Sequence, residues 1–230
     1  MEKKWLIFLF LIVGVFAVLI ITNPNQMIDV TKFNKDEIIT ASVQNGEIGD
    51  HILGDQTGPK VTLIIYGDYQ CPACAQHNKE VMALTGTFKS GLAIIFRHFP
   101  LPGHANALAA AAVAEAAGKQ GKFWEMHNLL FNNYLVWSSD ATSRDNLFKS
   151  YAGQLGLNLE QFNTDRNSVA VKQKINFDSA LGRAHDLTGT PTLVLNGEKI
   201  DSAIWGDSAK FRDLIKEKIG LTNAQTAETK

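Results

Sequence analysis

The chain has 230 residues, of which 45% are hydrophobic and 20% charged, and its 22 basic and 23 acidic side chains give a net charge of -1. This composition excludes disorder for most of the chain and offers no basic excess for binding nucleic acid. The length suffices for one large domain or two small ones, with a core that needs no metal or cross-link. A need for stability therefore does not account for the two cysteines.

The first 22 residues predict a membrane anchor. Lys3 and Lys4 precede an uncharged apolar run over residues 5–21, which as a helix would span roughly 25 Å, the lower end of what crosses a bilayer. Residues 16–21 stay bulky where a cleavage site needs small side chains, so we expect an uncleaved signal anchor; a cleaved signal peptide is the alternative. The lysines predict a cytoplasmic N-terminus and a single-pass protein of the cell membrane with its domain outside the cytoplasm.

Residues 23–50 mix polar and isolated apolar side chains without sustained periodicity, which is typical of a tether. A short helix at 35–39 fits within it. The domain itself is predicted over residues 51–220, and the polar residues 221–230 are predicted to be a disordered tail.

The predicted domain is of the α/β class. It opens with a strand at 61–66, a helix at 72–88 and a strand at 92–99, a connection long enough for a parallel pair. Helical patterns then fill residues 103–187, with predicted helices at 104–118, 123–131, 145–155, 159–163 and 169–187. A strand at 192–195, an Asn196-Gly197 hairpin turn, a strand at 198–200 and a helix at 208–219 complete the chain.

The two cysteines occur as Cys71-Pro72-Ala73-Cys74, after the first strand and at the start of the next helix. Pro72 suits the first helical position because its missing N–H would have no partner there. The positive end of the helix favours a thiolate at Cys71 and can lower its pKa from about 8.5 to roughly 3.5–7.5. Cys74 lies one turn on, so an exposed Cys71 that exchanges with a disulfide has a resolving thiol beside it.

A structural disulfide and a metal site are the alternatives to redox chemistry for this cysteine pair. A structural disulfide here would close only a four-residue loop, worth about 2 kcal/mol. His77 extends the motif to Cys-x-x-Cys-x-x-His, which leaves metal binding open, although no second pair with zinc-site spacing exists. We therefore favour redox chemistry.

The sequence resembles the DsbA-like branch of the thioredoxin superfamily, in its membrane-anchored bacterial form. The resemblance runs from about residue 51 to 218 and rests on segments 66–74, 96–101, 123–127 and 189–192, read as Tyr-Gly-Asp-Tyr-Gln-Cys-Pro-Ala-Cys, Phe-Arg-His-Phe-Pro-Leu, Phe-Trp-Glu-Met-His and Gly-Thr-Pro-Thr. It implies a thioredoxin fold with an inserted helical domain, a nucleophilic Cys71 and a resolving Cys74. It also implies a cis Thr190-Pro191 peptide facing the pair, with the Thr190 backbone free to bind an extended substrate.

Two positions depart from that family's pattern. Relatives often carry a buried acidic residue six positions before the first cysteine, where this chain has Ile65, so proton transfer to Cys74 must use water or another group. Ala73 stands where strongly oxidising relatives carry histidine. Pro72, Ala73 and His77 are candidates for tuning the redox properties of the cysteine pair. The resemblance does not imply how oxidising that pair is.

Several further residues are weaker candidates. His98 and His104 flank a turn after the second strand, but surface or hydrogen-bonded roles are commoner for such histidines. Asp68 and Tyr69 either shape the groove before Cys71 or lie in a solvated loop. The side chains expected in the core of the helical block are Phe123, Trp124, Leu130 and Phe131.

The resemblance implies an extracytoplasmic oxidoreductase that introduces disulfides into exported proteins through Cys71 and Cys74, without a cofactor or metal. Its implied partners are folding proteins with cysteines and a quinone-linked membrane protein that reoxidises the pair, and no nucleic acid. A reductase or isomerase of the same fold is the first alternative. An anchored binding module, or a copper carrier using Cys71, Cys74 and His77, is the second.

Overall fold

The architecture is a five-stranded sheet with helices on both faces. The structure is a computed structural model that describes residues 28–34, 36–40, 48–88, 90–139 and 141–220. The strands are β1 (Ile52–Gly54), β2 (Val61–Gly67), β3 (Leu92–His98), β4 (Thr192–Leu195) and β5 (Glu198–Lys199). They lie in the order β1-β3-β2-β4-β5, with β2 and β3 parallel and the other pairs antiparallel. The predicted α/β class, with its parallel pair, is confirmed.

The helices follow the predicted order. Their bounds are α1 (Pro72–Thr87), α2 (Ala107–Gly118), α3 (Phe123–Asn132), α4 (Tyr134–Trp137), α5 (Asp145–Gln154), α6 (Leu159–Arg166), α7 (Val169–Ala184), α8 (Ser202–Trp205) and α9 (Ser208–Ile219). Helices α2 to α7 all lie between β3 and β4 in the chain, which is the inserted helical block. The four-residue helices α4 and α8 and the strand β1 were not predicted, because elements this short carry too few residues to show a period.

Alternate residues of the central strands feed two separate cores. Leu63 and Ile65 of β2 belong to the larger core, which α1, α9 and the first helices of the insertion cover. Ile64 and Tyr66 point to the opposite face and join a smaller core with Leu187. Because both faces are buried, β2 and β3 read as continuous apolar runs rather than alternating ones. At the end of β4, Asn196 (φ 47°) and Gly197 (φ 84°) form the predicted hairpin turn.

The described parts of the predicted tether, residues 28–34, 36–40 and 48–50, pack on the domain. Ile39 and Ile48 are 1% and 2% exposed and pack in a third apolar cluster against α7. The expected helix at 35–39 is wrong for the described residues 36–40, which are not helical, and a short 3-10 turn lies earlier, at Val30–Lys32. The isolated apolar side chains Ile39 and Ile48 thus contribute to a core cluster of the domain.

A buried ion network ties this segment to the sheet. The Asp50 carboxylate, fully buried, accepts from Arg97 Nη2 at 2.8 Å and lies 3.3 Å from Lys174 Nζ. Lys174 also pairs with Asp178 at 2.8 Å, and Asp178 in turn accepts from the backbone N–H of His98 at 3.0 Å. Burial alone would raise the pKa of Asp50, but the charges of Lys174 and Arg97 outweigh it and hold that pKa below its usual value.

The predicted anchor over residues 5–21 and the predicted tail over 221–230 lie outside the described residues. Within the part of the chain that the structure describes, no helix has the length and hydropathy needed to cross a membrane.

Replacing Asp50 should lower the free energy of unfolding more than replacing an exposed aspartate does. We expect Asp50→Asn to lower the free energy of unfolding by about 3–5 kcal/mol, because it leaves Arg97 and Lys174 without their shared buried counter-ion. Asp213→Asn, at a carboxylate 75% exposed beside Lys216, should change it by less than about 0.5 kcal/mol. Urea unfolding at pH 7 measures both; equal losses in the two variants would contradict this role for Asp50.

Candidate active site

Both cysteines lie at the start of α1, as the motif predicts. Cys71 is the N-cap residue in extended conformation, and Pro72 occupies the first turn. The Cys71 N–H donates to the carbonyl of Asp68 at 3.1 Å, and the Cys71 carbonyl accepts the first intrahelical bond, from Ala75. The Cys71 sulfur therefore sits where the unpaired N–H groups of the helix converge.

The structure brings the predicted substrate-binding residues to the cysteines. In its thiol form Cys71 Sγ donates to the carbonyl of Thr190 at 3.4 Å, across 119 residues of sequence. The Thr190-Pro191 peptide is cis, as the resemblance implied, and Pro191 borders the same small cavity as Cys74. The two thiols are free rather than joined in a disulfide.

The two thiols titrate in opposite directions. A hydrogen bond from the Cys74 side chain is the largest influence that lowers the pKa of Cys71 to about 5. The Thr190 side chain and the backbone of Cys74 and Ala73 lower it further, and burial opposes them. Burial, followed by the interaction with Cys71, raises the pKa of Cys74 well above its ordinary value. At neutral pH the pair is thus one thiolate stabilised by one thiol.

Contrary to the expectation of an exposed Cys71, both cysteines are buried as whole residues. Cys71 is 6% exposed and Cys74 is 5% exposed. The opposite pKa shifts make Cys71 the group that is ionised at neutral pH, and hence the more reactive of the two.

A buried carboxylate holds the loop before the cysteines. Asp68 is 2% exposed, and its oxygens accept from the backbone N–H groups of Gln70 at 2.7 Å and Leu101 at 2.8 Å. Its Oδ2 also lies 2.6 Å from His104 Nδ1. The alternative of a solvated loop is therefore wrong, and His104 acts on the loop through Asp68. His98 lies elsewhere, 2.8 Å from Glu115.

The inserted helices hold the same loop from the other side. Gln70, the residue before Cys71, donates from Nε2 to the carbonyl of Ser138 at 2.9 Å and accepts from the N–H of Asn106 at 2.7 Å. Its carbonyl accepts from the hydroxyl of Tyr134 at 3.1 Å. Only the fold reveals these partners, because Gln70 is separated from Asn106 by 36 residues and from Ser138 by 68.

A small cavity lies behind Cys74. It has a volume of about 20 Å³ and is bordered by Ile65, Cys74, His77, Asn78 and His127, among others. Ile65, at the position where relatives often carry an acid, is 7% exposed and contributes only an apolar wall. The Tyr69 hydroxyl and Asn78 Oδ1 lie 3.0 and 2.8 Å from the two ring nitrogens of His127.

A groove runs beside Thr190 and Pro191 on the surface. It has a volume of about 490 Å³ and is lined by the segments 188–192 and 199–202 and by Trp205. It combines polar side chains, such as Lys199 and Asp201, with the indole of Trp205.

The residues of the candidate copper site do not form one ligand set. Over the described ranges, no group of three or more His, Cys, Asp or Glu side chains is arranged to hold a metal ion. His77 turns instead to Glu80, whose Oε2 lies 3.2 Å from Nδ1. Of the expected core residues, Phe123, Leu130 and Phe131 are buried and Trp124 is partly buried against them.

Removing the Cys74 thiol should raise the pKa of Cys71, because that thiol supplies the largest lowering influence. In the reduced wild type we expect the rate of iodoacetamide alkylation at Cys71 to rise with a midpoint near pH 5, and in Cys74→Ala to rise at a clearly higher pH. Gln76→Ala, on the exposed side of α1, should keep the wild-type midpoint. A midpoint that stays near pH 5 in Cys74→Ala would assign the effect to the helix terminus instead.

Solved structures share this fold. A thioredoxin-like oxidoreductase from Silicibacter pomeroyi is 26% identical, with a TM-score of 0.58 over 73% of this chain and 92% of that one. BdbD from Bacillus subtilis has a TM-score of 0.65 at 20% identity, covering 81% of this chain and all of that one. The α-DsbA1 protein of Wolbachia pipientis has a TM-score of 0.63 at 24% identity, covering 74% and 91%.

The curated relatives match this chain over only a small part of their own length. Na(+)/H(+) antiporter NhaA 1 of Mycolicibacterium gilvum is 36% identical over 155 residues, 65% of this chain and 24% of that protein. The protein of the same name from Salinispora arenicola is 38% identical over 154 residues, 65% and 22%. The chain thus spans about a quarter of the length of the curated relatives it matches.

A family model described as thioredoxin, Thioredoxin_4, matches residues 46–217, well over half of the chain. The matched region begins before residue 51, in agreement with the packing of Ile48 and Asp50 on the domain. The chain belongs to this family of the thioredoxin superfamily and has the fold of the DsbA-like thiol–disulfide oxidoreductases.

Proposed function

We propose that this protein is an extracytoplasmic oxidoreductase that introduces disulfide bonds into exported proteins through Cys71 and Cys74. Thiol–disulfide exchange in general follows from the family and the fold. The direction is supported by one observation above all, the low pKa of Cys71, about 5. A stabilised thiolate favours the reduced form of the pair, which makes its disulfide a stronger oxidant.

The exchange proceeds in two displacements. A client thiolate attacks Cys71 Sγ, the Cys71–Cys74 bond breaks, and Cys74 leaves with the electron pair. A second thiolate of the client then attacks the client sulfur that is bonded to Cys71, and Cys71 leaves as a thiolate. The low pKa of Cys71 makes it a good leaving group in this second step. The client has lost two electrons and the pair has gained them.

Thr190 and the groove beside it are the proposed client-binding elements. Pro191 has no N–H, so the Thr190 backbone groups remain available to an extended client strand next to Cys71. The groove along 188–192 and Trp205 has room for the residues that flank the client cysteine. Its polar lining favours unfolded segments of mixed composition over strictly apolar ones.

The proposed location is the cell membrane, with residues 5–21 as an uncleaved single-pass anchor and a cytoplasmic N-terminus. The reduced pair must be reoxidised, and a quinone-linked membrane protein is the proposed acceptor because the anchor keeps both in one membrane. Retention of the full chain in membranes after alkaline carbonate extraction tests the anchor, since a spanning helix resists that treatment and a peripheral protein does not.

A reductase or isomerase of the same fold is the second candidate, because the same cysteine pair can run the exchange in reverse when another protein supplies electrons. The antiporter activity named for the curated relatives is not carried over, since the match covers only 24% of the first of them.

The direction can be tested with the full chain and an unstructured peptide that carries two cysteines. The oxidised wild type should form one peptide disulfide per chain, because the chain has only two cysteines. Cys71→Ser and Cys74→Ser should form none, and reduced Cys74→Ser should trap a mixed disulfide when mixed with the oxidised peptide. Oxidation by Cys71→Ser would contradict the mechanism. Faster reduction of the oxidised peptide than oxidation of the reduced one would favour the reductase.

A further inference from the structure

The first turn of α1 is held in place from outside the helix. Among the described residues, no side chain caps this turn at Cys71, although the N–H groups at the start of a helix usually have such a partner. Hydrogen bonds from the backbone of Cys74 and Ala73 go to the Cys71 sulfur instead, where they add to the larger effect of the Cys74 thiol in lowering the pKa of Cys71. The residues before the helix therefore have to fix the position of Cys71.

The turn formed by residues 68–71 fixes that position. The Cys71 N–H donates to the carbonyl of Asp68 at 3.1 Å, which is the bond that closes a four-residue turn. Burial raises the pKa of Cys74, and a hydrogen bond with the backbone of Asp68 is one of the influences that oppose this rise. The peptide groups of Asp68 thus interact with both cysteines.

Three donors hold the Asp68 carboxylate, and one of them belongs to a side chain. Two are the backbone N–H groups of Gln70, at 2.7 Å, and Leu101, at 2.8 Å. The third is His104, whose Nδ1 lies 2.6 Å from Asp68 Oδ2. A carboxylate only accepts hydrogen bonds, so Nδ1 carries a proton and donates it. The carboxylate has no exposed surface, whereas 28% of the His104 side chain is exposed.

The loop between β3 and α2 presents His104 to this carboxylate. The His104 N–H donates to the carbonyl of Leu101 at 3.2 Å, and the His104 carbonyl accepts from the N–H of Ala107 at 3.1 Å, where α2 begins. Because these bonds already order the backbone, little further freedom is lost when the imidazole donates to Asp68. Hydrogen bonds to a carboxylate are roughly twice as strong as those between neutral groups. The bond between His104 and Asp68 therefore joins two ordered segments firmly.

We propose that His104 is a positioning residue for thiol–disulfide exchange, which acts through the Asp68 carboxylate to hold the turn at residues 68–71 against the start of α1. With this donor in place, the turn keeps Cys71 where the helix N–H groups and the Cys74 thiol meet its sulfur. Without it, a buried carboxylate lacks one of its three partners, and its most favourable response is to move towards water and take the turn with it. The inference rests on the exchange function proposed above and deepens it.

Both displacements of the exchange depend on where this turn lies. In the first displacement Cys74 leaves with the electron pair, and the backbone of Asp68 stabilises the thiolate that it becomes. In the second Cys71 leaves, and the helix N–H groups and the Cys74 thiol stabilise its charge only while Cys71 stays at the helix terminus. His104 gives up no proton in either step, and its contribution is the position of the turn.

The test measures the rate of iodoacetamide alkylation at Cys71 against pH in the reduced full chain and three variants. His104→Ala removes the donor. His104→Asn keeps an N–H donor on the atom that follows Cγ, the place of Nδ1 in histidine. His51→Ala is the matched control, because the His51 side chain is 26% exposed and its Nε2 lies 3.0 Å from Oε2 of the buried Glu115. The control thus loses the same kind of bond at a carboxylate of α2 rather than of the turn.

We expect the midpoint to rise from near pH 5 in the wild type to about pH 6 in His104→Ala. It should stay within about 0.3 of the wild-type pH in His104→Asn and in His51→Ala. The equilibrium constant for oxidation of glutathione at pH 7 should fall about tenfold in His104→Ala alone, because each tenfold loss of thiolate stabilisation raises the pKa by one and favours the disulfide by the same factor.

A midpoint that stays near pH 5 in His104→Ala would overturn the inference, whatever stability that variant loses, because the bond would then be structural only. Equal rises in His104→Ala and His104→Asn would also overturn it, since the ring and not the donor would be responsible. A rise of the same size in His51→Ala would indicate a general loosening of the domain and overturn it too. If the wild type oxidises no peptide, the proposed exchange function fails, whereas the midpoints still decide the role of His104.

Discussion

The hydrogen bond between the two cysteines is the interaction on which the chemistry of this protein depends. It requires one ionised and one protonated sulfur, and it is the largest influence that brings the pKa of Cys71 to about 5. The same contact contributes to the high pKa of Cys74. Because the Cys71 pKa is depressed in the folded, reduced protein, ionisation contributes stability that is fully present above the unfolded value of about 8.5 and lost as the pH falls through 5. The disulfide form gains no such stability, so the ionisation of Cys71 shifts the balance towards the reduced form at neutral pH.

The rest of the fold holds the geometry of that contact. On one side the buried carboxylate of Asp68 fixes the loop before Cys71, and on the other side Gln70 joins the loop to the inserted helices. Away from the cysteines, Arg97 of β3 and Lys174 of α7 hold Asp50 and with it the segment before residue 51. Buried charges of this kind are costly unless every partner is present, so they specify one arrangement of the chain.

Local chemistry could be predicted from the sequence, whereas contacts made across the fold could not. The start of α1 at Pro72, the parallel strands and the Asn196-Gly197 turn follow from signals within a few residues, and the structure has each of them. The approach of Thr190 to Cys71 came only from the family resemblance, because no property of either residue indicates the other. The burial of Ile39 depends on α7, some 130 residues further on. Ile65 indicated a missing acid, but the small cavity that Ile65, Cys74, His77 and His127 border together appears only in three dimensions.

The reduction potential of the Cys71–Cys74 pair is the most direct test of an oxidising role, because a thiolate stabilised at Cys71 must appear as an oxidising disulfide. The full chain would be equilibrated in graded glutathione buffers, quenched by alkylation, and its free thiols counted by mass. We predict a potential well above about -180 mV, the value of isomerase-like pairs. A potential near about -270 mV, the value of thioredoxin-like pairs, would contradict the oxidising role and identify the protein as a reductase.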